Sequence, residues 1–252
     1  MSNPPMYDSM VALDRVAHKN LRLRTEEPVL ARAKELNSMF LTVVEFADAC
    51  KEYPLVFVRV GENKPDAKLV VAPLAVLGLK QGSNLFIKGD KWTGNYVPAY
   101  LRRYPFAMAR IDGGDQVAVC YDEKWTGFNE TEGHSLFAAD GQPSEFLLNA
   151  KTFLENFETE SERTRLICEQ IVEAGLLQDM RFEATLPDGE KLLVEGFLAV
   201  DEKKLSELPE AKIVELFRNG ILSLIEMHRV SMGNMNRLAN LHAADKAGSA
   251  AA

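Results

Sequence analysis

The sequence predicts an α+β fold: a largely antiparallel sheet from the first half, packed by a long helix, then a β-hairpin and C-terminal helices. Three observations predict it. Residues 39–46, 55–60, 69–79 and 85–87 form short runs rich in β-branched and aromatic residues, separated by turns, as successive hairpin strands require. After Ser144, the residues Phe146, Leu147, Ala150, Phe153, Leu154 and Phe157 recur at helical spacing. Residues 180–186 and 191–200 flank Pro187-Asp188-Gly189-Glu190, and Asp-Gly between apolar runs is a strong hairpin signal.

Taken in order, residues 1–12 read as a polar arm docked on the body. Leu21 and Leu23 alternate with Arg22 and Arg24, which suits a strand with one buried face. Residues 39–46 read as a strand, and 48–51 as a short helical segment. Residues 55–60 are almost wholly apolar and read as a central strand. Residues 61–68 are a polar turn. Residues 69–79 read as a second buried strand in which Pro73 implies a bulge or an edge. Residues 106–111 and 116–121 form a hairpin around the plain turn Asp112-Gly113-Gly114-Asp115, too sparse in carboxylates for a calcium loop. Residues 122–143 are loop-rich, and Glu130, Glu132 and His134 there match no zinc spacing. Ser144 caps the long helix, which ends at Gly175, with its charged face solvated and Cys168 on or beside that face. Residues 203–208 form a helical turn. Pro209 opens a helix closed by Asn219-Gly220, and a final apolar helix follows over 221–241. Residues 1–243 read as one compact unit, and the Ala/Gly/Ser-rich residues 244–252 as a disordered tail.

Composition excludes several function classes. The 252 residues carry a net charge of −8, with no long Lys/Arg run, which disfavours nucleic acid and anionic membrane surfaces. The most apolar stretch, 69–79, is too short to span a bilayer. Residues 1–10 lack a basic segment followed by an apolar one, so no secretory signal is expected. Cys50, Cys120 and Cys168 are widely spaced and form no CxxC pair, which fits reduced thiols and a cytoplasmic location. No phosphate-binding loop, nucleophile elbow or metal motif occurs, so no catalytic residue and no cofactor is named.

The densest chemistry lies in Tyr96-Val97-Pro98-Ala99-Tyr100-Leu101-Arg102-Arg103-Tyr104-Pro105-Phe106. Pro98 suits the first turn of a short helix, and Pro105 ends it. Tyr100 and Tyr104, four apart, share one face. Two readings stand side by side. In the functional one, Arg102 or Arg103 offers a planar fork to a carboxylate or phosphate, with Tyr96, Tyr100 and Tyr104 as walls. In the structural one, the arginines pair with acids and the tyrosines fill core. His18 and His228 are secondary candidates, each read first as a packed, hydrogen-bonded histidine.

The ordered blocks His18-Lys19-Asn20-Leu21, Glu52-Tyr53-Pro54-Leu55-Val56-Phe57-Val58, the tyrosine-arginine stretch and Leu186-Pro187-Asp188-Gly189 resemble the SapC family of bacterial proteins. So do Leu198-Ala199-Val200-Asp201-Glu202-Lys203-Lys204-Leu205 and Ser231-Met232-Gly233-Asn234, and the resemblance spans residues 13–241. It implies no catalytic assignment. The family name derives from paracrystalline surface layers, and members also carry a peptide-transport label. Their typical gene company includes outer-membrane receptors, flavin-dependent halogenases and cupin-like oxygenases. The resemblance therefore implies an accessory or binding protein for a small molecule or peptide, with room for a protein partner. The alternatives are a surface-layer structural protein exported by a non-classical route, and an enzyme using His18 or His228.

Overall fold

The computed structural model describes residues 3–25, 29–61, 68–110 and 117–250. The turn 112–115 and most of the polar turn 61–68 lie outside these residues. Helices and antiparallel sheets are both present, so the fold is α+β. By its contacts the chain divides into two compact units. One comprises Met1–Ala33 and Tyr100–Thr159, the other Lys34–Ala99 and Glu160–Ala252.

In the first unit the strands Met10–Ala12, Val117–Asp122 and Phe106–Arg110 form an antiparallel sheet in that order. Register places Met10 opposite Asp122 and Phe106 opposite Tyr121. A smaller sheet joins Phe128–Asn129, Arg22–Leu23 and His134–Ser135. The long helix Glu145–Glu173 starts where Ser144 Oγ accepts the Leu147 N–H at 3.3 Å, satisfying one of the first-turn donors. Its apolar stripe delivers Leu147 and Leu154 to a core containing Tyr7, Leu23, Tyr104, Phe106, Tyr121, Trp125 and Leu136. Trp125 and Tyr121 meet Phe128 edge-on, at 5.7 and 4.7 Å between ring centres. Offset aromatic contacts of this kind add to the area they bury.

The second unit is built on a five-stranded antiparallel sheet: Leu177–Thr185, Lys191–Val200, Leu55–Arg59, Val71–Val76 and Ser38–Phe40. Leu55–Arg59 is its middle strand, as its unbroken apolar run requires. Three expectations change here. The Asp188-Gly189 hairpin, expected to follow the sheet and the long helix, is part of the sheet, because Leu198 pairs with Phe57. The strand expected over 39–46 stops at Phe40, and a helical turn starts at Val43. The cause is the Thr42-Val43-Val44-Glu45 spacing: the Glu45 carboxylate accepts the Thr42 N–H at 2.8 Å, the reach-back bond of a capping box. Pro73 marks neither bulge nor edge, since it sits opposite Phe57 in an unshifted ladder while its carbonyl accepts the Leu41 N–H. The short strand expected at 85–87 is Ile87–Lys88, paired with Lys91–Trp92.

Four helices follow: Glu202–Ser206, Glu210–Arg218, Ile221–Ser231 and Asn234–Ala250. The helix expected over 221–241 breaks at Met232-Gly233, where glycine lowers helix propensity. Asn234 Nδ2 donates to the carbonyls of Cys50 and Tyr53 at 2.9 and 3.2 Å, and Ser231 Oγ accepts the Leu55 N–H at 2.9 Å. These bonds tie the two final helices to the entry of the middle strand. The last helix includes residues 244–250, where the sequence expects a disordered tail. Cys168, expected on or beside the charged face, is buried, and burial pushes its thiol up to about 12. Among the described residues no helix is long and apolar enough to cross a membrane.

Candidate functional site

The tyrosine-arginine stretch divides between the units. Ala99–Arg102 is a short helix preceded by Pro98, and the Tyr104-Pro105 peptide is cis. Tyr96 belongs to the second unit, where its hydroxyl donates to Glu45 Oε1 at 2.8 Å and its backbone N–H to Glu52 Oε1 at 3.0 Å. Trp92 Nε1 donates to the Tyr96 carbonyl at 3.0 Å, and Tyr53 Oη donates to the same oxygen. Tyr96 therefore anchors a loop on two buried carboxylates and supplies no wall to the cavity described below.

Tyr100 to Phe106 lie in the first unit and face the N-terminal arm. Tyr100 Oη donates to the Pro5 carbonyl at 3.0 Å, and Tyr7 Oη to the Phe106 carbonyl at 2.7 Å. Tyr104 Oη donates to Asp122 Oδ2 at 2.8 Å. Asp122 is fully buried and also accepts the Ser9 and Asp8 N–H groups at 2.9 and 3.2 Å. A buried carboxylate needs such donors to remain in the interior. Burial first, and then the Asp122 carboxylate, pushes the Tyr104 phenol well above its ordinary range. Burial does the same to Tyr7, with Arg103 opposing it. Both phenols stay protonated and act as donors at neutral pH.

Arg103 is the unusual residue. Its side chain is 9% exposed, and its guanidinium carbon lies 4.2, 4.6 and 5.8 Å from the ring centres of Tyr100, Phe157 and Tyr7. Three aromatic rings stabilise a cation through their negative faces. The Tyr7 and Tyr100 hydroxyls also hydrogen-bond the guanidinium, and Glu158 is its nearest charged neighbour. Nη1 reaches Glu158 Oε1 only at 3.7 Å, and among the described residues the buried Nε has no hydrogen-bond partner. Burial raises the Glu158 carboxyl above the usual carboxylate range, with Arg103 opposing.

Arg103 also lines a cavity of about 310 Å³ together with Arg102 and Tyr104. Its remaining wall is mostly apolar: Leu23, Val29, Pro105, Phe106, Trp125, Phe146, Ala150, Phe153 and Leu154, with Thr25. The exposed Arg102 places its guanidinium 5.3 Å from the Phe153 ring centre. A concave apolar site with few polar groups is the usual form of a small-molecule site. Of the sequence candidates, Arg102, Arg103 and Tyr104 come together here. Tyr100 stands behind Arg103 as one ring of its aromatic cage.

The two candidate histidines lie elsewhere. His18 Nδ1 accepts the Asp14 N–H at 2.9 Å, and its ring meets Tyr121 edge-on at 5.2 Å. His228 is buried, with Nε2 accepting the Val200 N–H at 3.0 Å and Nδ1 2.7 Å from the Leu55 carbonyl. Those partners fix the proton on Nδ1. Burial lowers its pKa to about 4, so the ring is neutral at physiological pH. Both rings serve the framework. His134 stacks on Phe146 at 4.7 Å, and among the described residues no group of three His, Cys, Asp or Glu is placed to hold a metal ion.

Sequence reasoning missed Tyr7, Phe153, Phe157 and Glu158 as neighbours of the arginines, Asp122 as the partner of Tyr104, and Trp125 as a cavity wall. The helical spacing of Phe153 and Phe157 was visible, but nothing local placed that stripe beside residues 102–104.

The class this defines is an α+β protein with an aromatic-walled, arginine-bearing cavity. A family model described as SapC matches residues 13–238, and the chain belongs to the SapC family. No curated protein and no solved structure matches it significantly.

Proposed function

We propose that this SapC-family chain is a binding or accessory protein whose cavity takes a carboxylate-bearing small molecule or peptide end. The observation that carries the reading is the Arg103 guanidinium: buried, caged by three rings, on the wall of an apolar cavity, and without a close anionic partner among the described residues. A buried charge left short of partners is costly, and the cost is recovered when a ligand supplies the missing anion. Arginine matches both oxygens of a carboxylate at once. The apolar wall suits an organic body attached to that carboxylate. The free Cys50, Cys120 and Cys168 fit work in the cytoplasm, as an accessory to an outer-membrane uptake system.

Native mass spectrometry of gently purified protein, followed by calorimetric titration with phenylbutyrate, tests this. The expected result is a co-purifying acid or direct phenylbutyrate binding, reduced at least tenfold in Arg103→Met, a loss typical of a charge-assisted contact. Equal binding by a folded Arg103→Met protein contradicts the reading.

A further inference from the structure

We infer that Glu158 is a built-in competitor for the Arg103 guanidinium, so that the cavity admits an anion able to outdo it. This rests on the reading of the cavity given above.

The chain's other arginine pairs show what a committed partner looks like. Arg59 binds Asp179 through two contacts of 2.6 and 2.9 Å. Arg165 holds Glu162 at 2.6 and 2.9 Å, and Arg229 holds Glu226 at 2.7 and 2.8 Å. All three arginines are far more exposed than Arg103, and water could have satisfied them. Arg103, with far less access to water, has the looser partner, at 3.7 Å. Glu158 sits one turn along the helix from Leu154, which lines the cavity, and its side chain is 45% exposed.

The pair therefore consists of a fixed, buried cation and a carboxylate with a route to solvent. The Glu158 side chain is partly exposed, so water can take over its carboxylate when Arg103 is released. Its neighbours do not compel it to stay or leave: Lys151 is engaged with Glu155 at 3.6 Å, and Glu162 with Arg165. An incoming carboxylate that presents two oxygens in the guanidinium plane gains the bidentate geometry Glu158 does not make. A neutral molecule of the same shape gains nothing from the exchange. Glu158 thus sets specificity: it keeps Arg103 partly compensated when the cavity holds no acid and yields to a ligand that is a better anion.

Calorimetric titration of phenylbutyrate and of the uncharged phenylbutanol into the full chain tests this, using wild type, Glu158→Gln and Glu158→Ala. Both substitutions should tighten phenylbutyrate binding about two- to fivefold, the range of a partly exposed ion pair, and leave phenylbutanol unchanged. Unchanged or weaker phenylbutyrate binding in folded variants overturns the inference while leaving the cavity reading intact. A parallel gain for phenylbutanol overturns it too, because it would show a change of shape rather than of charge. Phenylbutyrate binding to none of the three proteins overturns the cavity reading and this inference with it.

Discussion

His228 and Arg103 are both basic side chains sunk in the interior, one in each unit, and they meet burial in opposite ways. His228 gives up its charge and gains two backbone partners, the Val200 N–H and the Leu55 carbonyl. An arginine keeps its charge, and Arg103 finds three ring faces, the hydroxyls of Tyr7 and Tyr100 and one distant carboxylate. A fully satisfied buried group reports on the framework. A buried charge left short of partners reports on something the chain does not itself contain. By that criterion the histidine is architecture and the arginine is the candidate for a site.

The comparison breaks most visibly at His228. His228→Leu keeps volume but strands an interior N–H and an interior carbonyl, so it should cost about 3–5 kcal/mol in chemical denaturation. A cost under about 1 kcal/mol would show that those backbone groups find other partners.

Acid probes the same residue without mutation. The folded-state pKa of His228 is lowered to about 4, below its ordinary 6.5, so the unfolded chain binds the extra proton first. Stability from this residue is complete above pH 6.5 and falls as pH drops toward 4. The loss should approach about 3 kcal/mol, with a slope of up to one proton. A flat stability profile across that window would mean that the ring is charged or solvated in the fold.

Arg103 should behave in reverse. Arg103→Met removes a poorly satisfied charge and keeps an unbranched apolar stem, so stability should change by less than about 1 kcal/mol or rise. A loss of several kcal/mol in thermal or chemical denaturation would make Arg103 part of the framework, like His228.

Much of the fold was legible in the sequence because its signals are local. The long helix declared its cap at Ser144 and its stripe from Phe146 to Phe157, and the Asp188-Gly189 turn declared its hairpin. Where the reading slipped, a longer-range or competing interaction decided. Residues 41–46 have strand propensity, but the Thr42 and Glu45 spacing caps a helical turn. The signal was present, and β-branched composition hid it. The hairpin's place in the sheet depends on Leu198 meeting Phe57, a pairing that no local pattern specifies. The same division governs the site. The dense tyrosine-arginine stretch drew attention to residues 102–104, which line the cavity. Local chemistry could not show that Tyr96 is spent on Glu45 and Glu52, or that Arg103 meets Phe157 and Tyr7.

The most direct test of the central claim watches Arg103 itself. In a spectrum of the arginine Nε–H groups, assigned by its loss in Arg103→Met, the Arg103 signal should shift and become more protected from exchange when phenylbutyrate is added. It should not respond to phenylbutanol. An Arg103 signal that stays in place while phenylbutyrate binds elsewhere would contradict the account.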